Sequence, residues 1–140
     1  MSIPQIPGGD RTYPYLLSES QIQAFVDSLR INHSAAITQR LNATFLAIIE
    51  MIQNKLDNKP TEIHLLVIRK IARDYKNKQF QRLMKSIITA LEPGKEKLSP
   101  AFHTITRVME LVYAGLPEYL SAREFYKEML KEIEKQEGEQ

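Results

Sequence analysis

Between Val67 and Lys85 the chain reads VIRKIARDYKNKQFQRLMK, with seven basic residues (Arg69, Lys70, Arg73, Lys76, Lys78, Arg82, Lys85) and one acid, Asp74. That is +6 within a chain of 140 residues whose net charge is +2. The rest offsets it: residues 1–66 carry five bases and six acids, residues 86–117 three of each, and residues 118–140 four bases and seven acids. Cations gathered in one stretch create a local field that attracts phosphates or carboxylates. This stretch is therefore where chemistry is expected.

The spacing of these cations is helical. Arg69, Arg73 and Lys76 fall at i, i+4, i+7, and so do Lys78, Arg82 and Lys85. Read as two consecutive helices, each shows a row of three cations. The first row lies opposite Ile63, Val67 and Ile71, the second opposite Phe80, Met84, Ile87 and Leu91. Arg69–Arg73 and Lys78–Arg82 are like-charge i,i+4 pairs, each costing about 0.2–0.5 kcal/mol. An anionic partner would offset that cost. Three readings stand: a polyanion-binding face, a plain solvated face, and a surface for an acidic protein. A nucleic acid would be held through its phosphates, which position a strand without reading its sequence. Tyr75 and Phe80 interleave the cations and could stack on bases. Their spacing puts them on the apolar faces, so core packing is the expectation.

Other chemistry is thin. The chain has no Cys, so it has no disulfide, thiolate nucleophile or zinc-thiolate site. His33, His64 and His103 are far apart, and none has a second His at i+3 or i+4, so no metal site is expected. Ser18, Ser99 and Ser121 read as helix caps rather than nucleophiles. No acid/base pair, nucleophile dyad or Gly-rich phosphate loop stands out. The expectation is a protein that is not an enzyme, with no catalytic residues and no cofactor. Glu124–Lys127, Glu128–Lys131 and Glu132–Lys135 are i,i+3 pairs of the sort found on an exposed helix.

The elements that must carry the cations are all helical. Ser18 and Gln21 form a capping-box pair, with Leu17 placed to staple onto Ile22. Ile22, Phe25, Val26 and Leu29 then repeat at helical spacing. After a break at INHS, a second stripe runs through Ile37, Leu41, Phe45, Ile48, Ile49, Ile52 and Leu56 and stops before Pro60. Thr61 can cap a third helix carrying Ile63, Val67, Ile71 and Tyr75. The KNK at 76–78 is either a turn or helix. A fourth stripe, Phe80 to Leu91, ends at Pro93-Gly94. Ser99-Pro100 predicts a fifth start, with Phe102, Ile105, Val108, Met109 and Val112 as its apolar face. Gly115 suits a C-terminal cap, Pro117 prevents continuation, and Tyr113 and Tyr119 flank that turn. A second capping box, Ser121 with Glu124, stapled by Leu120 and Phe125, predicts the last helix, with Phe125, Met129 and Ile133 as its stripe.

No segment alternates with the period of a strand. The fold class expected is therefore all-α: a single bundle of five to six helices over residues 18–136, with an extended, flexible Pro/Gly arm at 1–17 and a frayed end at 137–140. At 43% apolar and 26% charged the composition suits one soluble domain. The longest apolar run, FLAIIEMI, is too short for a membrane span. The opening MSIPQIPGGD lacks the basic and apolar regions of a secretory signal. A cytoplasmic protein with no membrane partner is the expectation.

A helical chain of this length, with one basic face and no visible catalytic residues, resembles the small subunits of CRISPR effector complexes of the Cascade type, proteins of antiviral defence. The resemblance covers residues 18–136 and rests on size, helicity and the basic rows, not on a signature motif. It implies a non-catalytic structural subunit that packs on other protein subunits. It also implies that Arg69, Arg73, Lys76, Lys78, Arg82 and Lys85 face the backbone of single-stranded DNA or RNA without sequence preference. The Pro/Gly arm with its Met is similar to an interdomain linker, as suits a family whose members are in several systems translated from an internal start within the large-subunit gene. The alternative is a protein–protein adaptor or assembly factor. In it the basic rows meet an acidic surface and the acidic segment 118–140 a basic one, with a head-to-tail homo-oligomer as one form.

Overall fold

Six α-helices make up the computed structural model, which describes residues 15–31, 34–113 and 116–138. They are α1 (Glu19–Ile31), α2 (Ala35–Leu56), α3 (Glu62–Asp74), α4 (Lys78–Leu91), α5 (Leu98–Val112) and α6 (Pro117–Gly138). There is no strand among the described residues, so the chain is an all-α bundle as the periodicity predicts. Residues 1–14 of the expected arm, His33, the Gly115 cap and residues 139–140 lie outside the described residues. The described end of the arm packs on the bundle. The Leu16 N–H donates to Thr104 Oγ1 at 2.7 Å, Leu17 is buried, and the Tyr15 ring meets His103 edge-on.

Helix boundaries follow from local chemistry. Both halves of the first capping box form: the Gln21 N–H donates to Ser18 Oγ at 3.2 Å and the Ser18 N–H to Gln21 Oε1 at 2.9 Å. Ser34 caps α2 by accepting from the Ile37 N–H at 3.2 Å. That helix ends in a Schellman motif. Asn58 takes the left-handed conformation at φ 58°, its N–H reaches the Lys55 carbonyl at 3.3 Å, and the Lys59 N–H reaches that of Asn54 at 2.7 Å.

The core is organised around α2, which packs against α3, α5 and α6. Phe45, Ile48, Met51 and Ile52 of α2 are buried with Phe25, Phe80, Ile87 and Ile105. The one fully buried side chain of α3 is Ile68. Buried Thr44 and Thr104 satisfy their hydroxyls on the carbonyls of Arg40 and Pro100, at 2.8 and 2.7 Å.

Three details differ from the sequence reading. On α3 the inward face is Ile68 and Tyr75 with half-buried Leu65, Ile71 and Ala72, whereas Ile63 and Val67 point outward with Leu66. Apolar residues occupy two sides of this helix, and only packing against α2 and α4 decides which turns in. The fifth helix starts at Leu98, so Ser99 and Pro100 sit inside its first turn, where a missing N–H costs nothing. The sixth starts at Pro117, so Ser121 and Glu124 are interior and form no capping box, and Leu120 and Phe125 are exposed. Its buried stripe is Met129 and Ile133, with Tyr126 partly buried. Pro at the first helical position is itself a strong start, because its φ is pre-set and its absent donor is not needed there.

Candidate nucleic-acid interface

The two rows of cations are brought together by a sharp corner. Helix α3 ends at Asp74, and α4 begins at Lys78, so KNK is a turn. Asn77 makes it: its Oδ1 accepts from the Phe80 N–H at 2.9 Å as the cap of α4. Its Nδ2 donates to Ser28 Oγ at 2.9 Å and the Tyr75 hydroxyl at 3.2 Å. Gln81 ties the helices together on the other side, donating to the Tyr75 carbonyl at 2.8 Å and to the Ala72 carbonyl. Tyr75 and Phe80 are buried with ring centres 5.0 Å apart, and Phe80 lies 5.9 Å from Phe25. They anchor the corner from beneath and are not available to stack on bases, in line with the core packing their spacing predicts.

Between α3 and α4 lies an open groove of about 600 Å³. Its floor is Ala72, Gln81, Met84 and Ile88. Five of the six cations singled out by spacing line it: Arg69, Arg73 and Lys76 from α3, Lys78 and Lys85 from α4. Seven residues of α-helix rise about 10 Å, so each row runs about that far along the groove. Arg82 is exposed but is not among the lining residues.

The cations are not equally free. Arg69 Nη2 lies 2.7 Å from Glu92 Oε2, at the C-terminal cap of α4. Arg73 Nε is 4.0 Å from Asp74 Oδ1, the outer limit of an ion pair. Lys76, Lys78, Arg82 and Lys85 have no ion-pair partner among the described residues. Sequence spacing found the rows but missed Glu92 and Gln81. Glu92 is 23 residues from Arg69, a separation no helical rule connects.

Elsewhere the titratable groups have structural roles. Arg107 binds Glu19 at 2.8 Å and also Glu110, joining α1 to α5, and these carboxylates push its pKa up further. His64 lies 3.6 Å from Glu50 and bridges α3 to α2. Burial lowers the pKa of His103, partly countered by Glu134 and Glu137. Burial pushes the Tyr113 phenol up to about 12, and its hydroxyl donates to Asn42 while its ring meets Phe45 edge-on. The Tyr119 hydroxyl reaches the Thr106 carbonyl at 3.4 Å, so Tyr113 and Tyr119 are each tied to a neighbouring helix. Lys127 and Lys131 pair with Glu124 and Glu128 at 3.3 Å each, whereas Glu132 accepts from Gln136 at 3.1 Å. Among the described residues no three His, Asp or Glu side chains are placed to hold a metal ion, and no helix is long and apolar enough to cross a membrane.

No protein-family model, curated protein or solved structure matches this chain.

Proposed function

We propose that this protein is a non-catalytic structural subunit of a cytoplasmic nucleoprotein complex, similar in role to the small subunits of CRISPR effector complexes. It holds a single-stranded DNA or RNA backbone in the α3–α4 groove. The observation that carries this reading is the convergence of Arg69, Arg73, Lys76, Lys78 and Lys85 on one groove, three of them with no ion-pair partner among the described residues. Sequence-tolerant binding follows from the chemistry, because the groove offers charge to phosphates and has no exposed aromatic among its lining residues to grip bases.

Fluorescence anisotropy with labelled single-stranded DNA at two salt concentrations tests it. Each phosphate contact on a single strand contributes about 0.7 to the slope of log affinity against log salt. Three to five contacts give a slope of about 2 to 3.5, a loss of about 20- to 130-fold between 50 and 200 mM salt. Lys76→Glu with Lys85→Glu removes the binding, while Lys131→Glu with Lys135→Glu, an equal change of net charge on α6, leaves it nearly intact. Equal losses in both pairs would reduce the groove to a general charge effect. Wild-type affinity in the groove variant, with an acidic polypeptide bound by the parent instead, would favour an adaptor that uses the same face on an acidic protein.

A further inference from the structure

A second surface lies on the other side of α3, outside the groove. Four large apolar side chains stand exposed on three different helices: Ile63 at 74% and Leu66 at 66% on α3, Leu46 at 58% on α2, and Phe125 at 54% on α6. Val67 of α3 is also exposed. The register of the helices shows that they share one face. Helix α3 runs antiparallel to α2, with His64 beside Glu50, which puts Val67 level with Leu46, one turn along. Helix α6 runs parallel to α2: Gln136 Nε2 donates to the Leu56 carbonyl at 3.2 Å, and Asn42 lines one cavity with Ala122 and Tyr126. Phe125 is therefore level with Leu46 on the opposite side. Leu46 belongs to the outward stripe of α2, with exposed Ala43 and Glu50. The result is an apolar band across α3, α2 and α6, broader than the scattered single apolar residues of an ordinary surface.

Charge flanks this band with opposite sign at its two sides. On α3 the outward residue next to Leu66 and Val67 is Lys70, with Arg69 and Arg73 beyond it. On α6 the residues beside Phe125 include Glu124, Glu128 and Glu132, spaced one turn apart and exposed; Glu124 and Glu128 also pair with Lys127 and Lys131 at 3.3 Å, solvent-open contacts that a second cation can share. Such a face is complementary to itself. A two-fold rotation about an axis parallel to α2 sets the α3 side of one molecule against the α6 side of another. Leu46 then meets Leu46 at the centre, and Lys70 of each copy faces Glu124 of the other.

We propose that this chain forms a symmetric dimer through the α2–α3–α6 face, with apolar residues at the middle and α3–α6 charge pairs along both edges. An isologous interface of this kind closes on itself, whereas a head-to-tail contact between groove and α6 would propagate. The dimer leaves both α3–α4 grooves open, because they lie on the other side of α3. It does not depend on what those grooves bind.

Sedimentation velocity and light scattering on the full chain, at about 1 to 100 μM where interfaces of modest quality assemble, read the oligomeric state. The parent is expected to reach a dimer across that range. Leu46→Glu and, separately, Phe125→Glu are expected to be monomeric with unchanged helical circular dichroism, since both side chains are exposed in the monomer. Lys70→Glu and Glu124→Lys should each weaken self-association. Mixing these two variants should restore a mixed dimer, because both edges then pair opposite charges. A parent that stays monomeric at the top concentration overturns the proposal. So does a dimer that survives both apolar substitutions, or an equimolar mixture that fails to reassociate. Oligomers that grow beyond two, or that are broken by Lys76→Glu with Lys85→Glu, would overturn it in favour of a head-to-tail contact through the groove.

Discussion

Glu92 sits where the groove's charge is spent internally. Its carboxylate lies 2.7 Å from the Arg69 guanidinium, and the two side chains are 49% and 47% exposed. An ion pair this open to solvent contributes only about 0.2–1 kcal/mol to stability. Glu92 is also at the C-terminal cap of α4, where a negative charge opposes the helix dipole. Glu92→Gln should therefore change the melting temperature little. Its effect on binding should be larger, because Arg69 becomes free to meet a phosphate. One more contact steepens the salt slope by about 0.7, which at 0.1 M salt amounts to about five-fold tighter binding of single-stranded DNA. Anisotropy titrations at four salt concentrations between about 50 and 200 mM resolve both quantities. Arg69→Gln should have a smaller effect than Lys85→Gln, since Arg69 is already partly neutralised. If Glu92→Gln leaves the slope unchanged, Arg69 is not a phosphate contact. If it weakens binding, Glu92 holds Arg69 in a working position, and the idea that the acid competes with phosphate is wrong.

Four further outcomes follow from the packing. In urea denaturation at protein concentrations low enough for the chain to be monomeric, Ile48→Ala should cost about 2–5 kcal/mol and Ile63→Ala almost nothing, because Ile48 is fully buried and Ile63 is 74% exposed. Asn77→Ala should lose about 0.5–2 kcal/mol for the cap alone, and more if Ser28 and Tyr75 find no water to replace it, with DNA binding falling as the corner loosens. Ser121→Ala should be neutral or slightly stabilising, since Ser121 is interior to α6 and Ala is the better helix former; a loss above about 1 kcal/mol would mean α6 starts at a Ser121 cap after all. His103 has a lowered pKa through burial, so its unfolded form takes up a proton first as pH falls. Its contribution is complete above the unfolded pKa of about 6.5 and is lost as pH drops from there toward the lowered folded value. His103→Gln should flatten that part of the stability profile, and a profile identical to the parent's would show that another group controls it.

The helices, and which helix carries the cations, were legible in the sequence because both rest on local rules. The capping box at Ser18 and the apolar stripes of α1, α2, α4 and α5 depend on residues within one or two turns of each other, and these formed as spacing implies. The inward face of α4 was equally plain, since Phe80, Leu83, Met84 and Ile87 occupy one side and Lys78, Arg82 and Lys85 the other. Where local signals competed, the sequence could not arbitrate. On α3, Ile63, Val67 and Ile68 lie on different sides, and contact with α2 and α4 chose Ile68. At α6, Pro117 and Ser121 are both valid starts, and the earlier one was taken. The groove itself exists only in three dimensions. It needs the corner at Asn77 and the Gln81 tie to set two rows of charge side by side, and it gains a neutralising Glu92 from 23 residues away. The same holds for the apolar band, whose members come from three helices that meet only after α2 has packed between α3 and α6. Periodicity reports one helix at a time, and a surface shared between helices is fixed by how they dock.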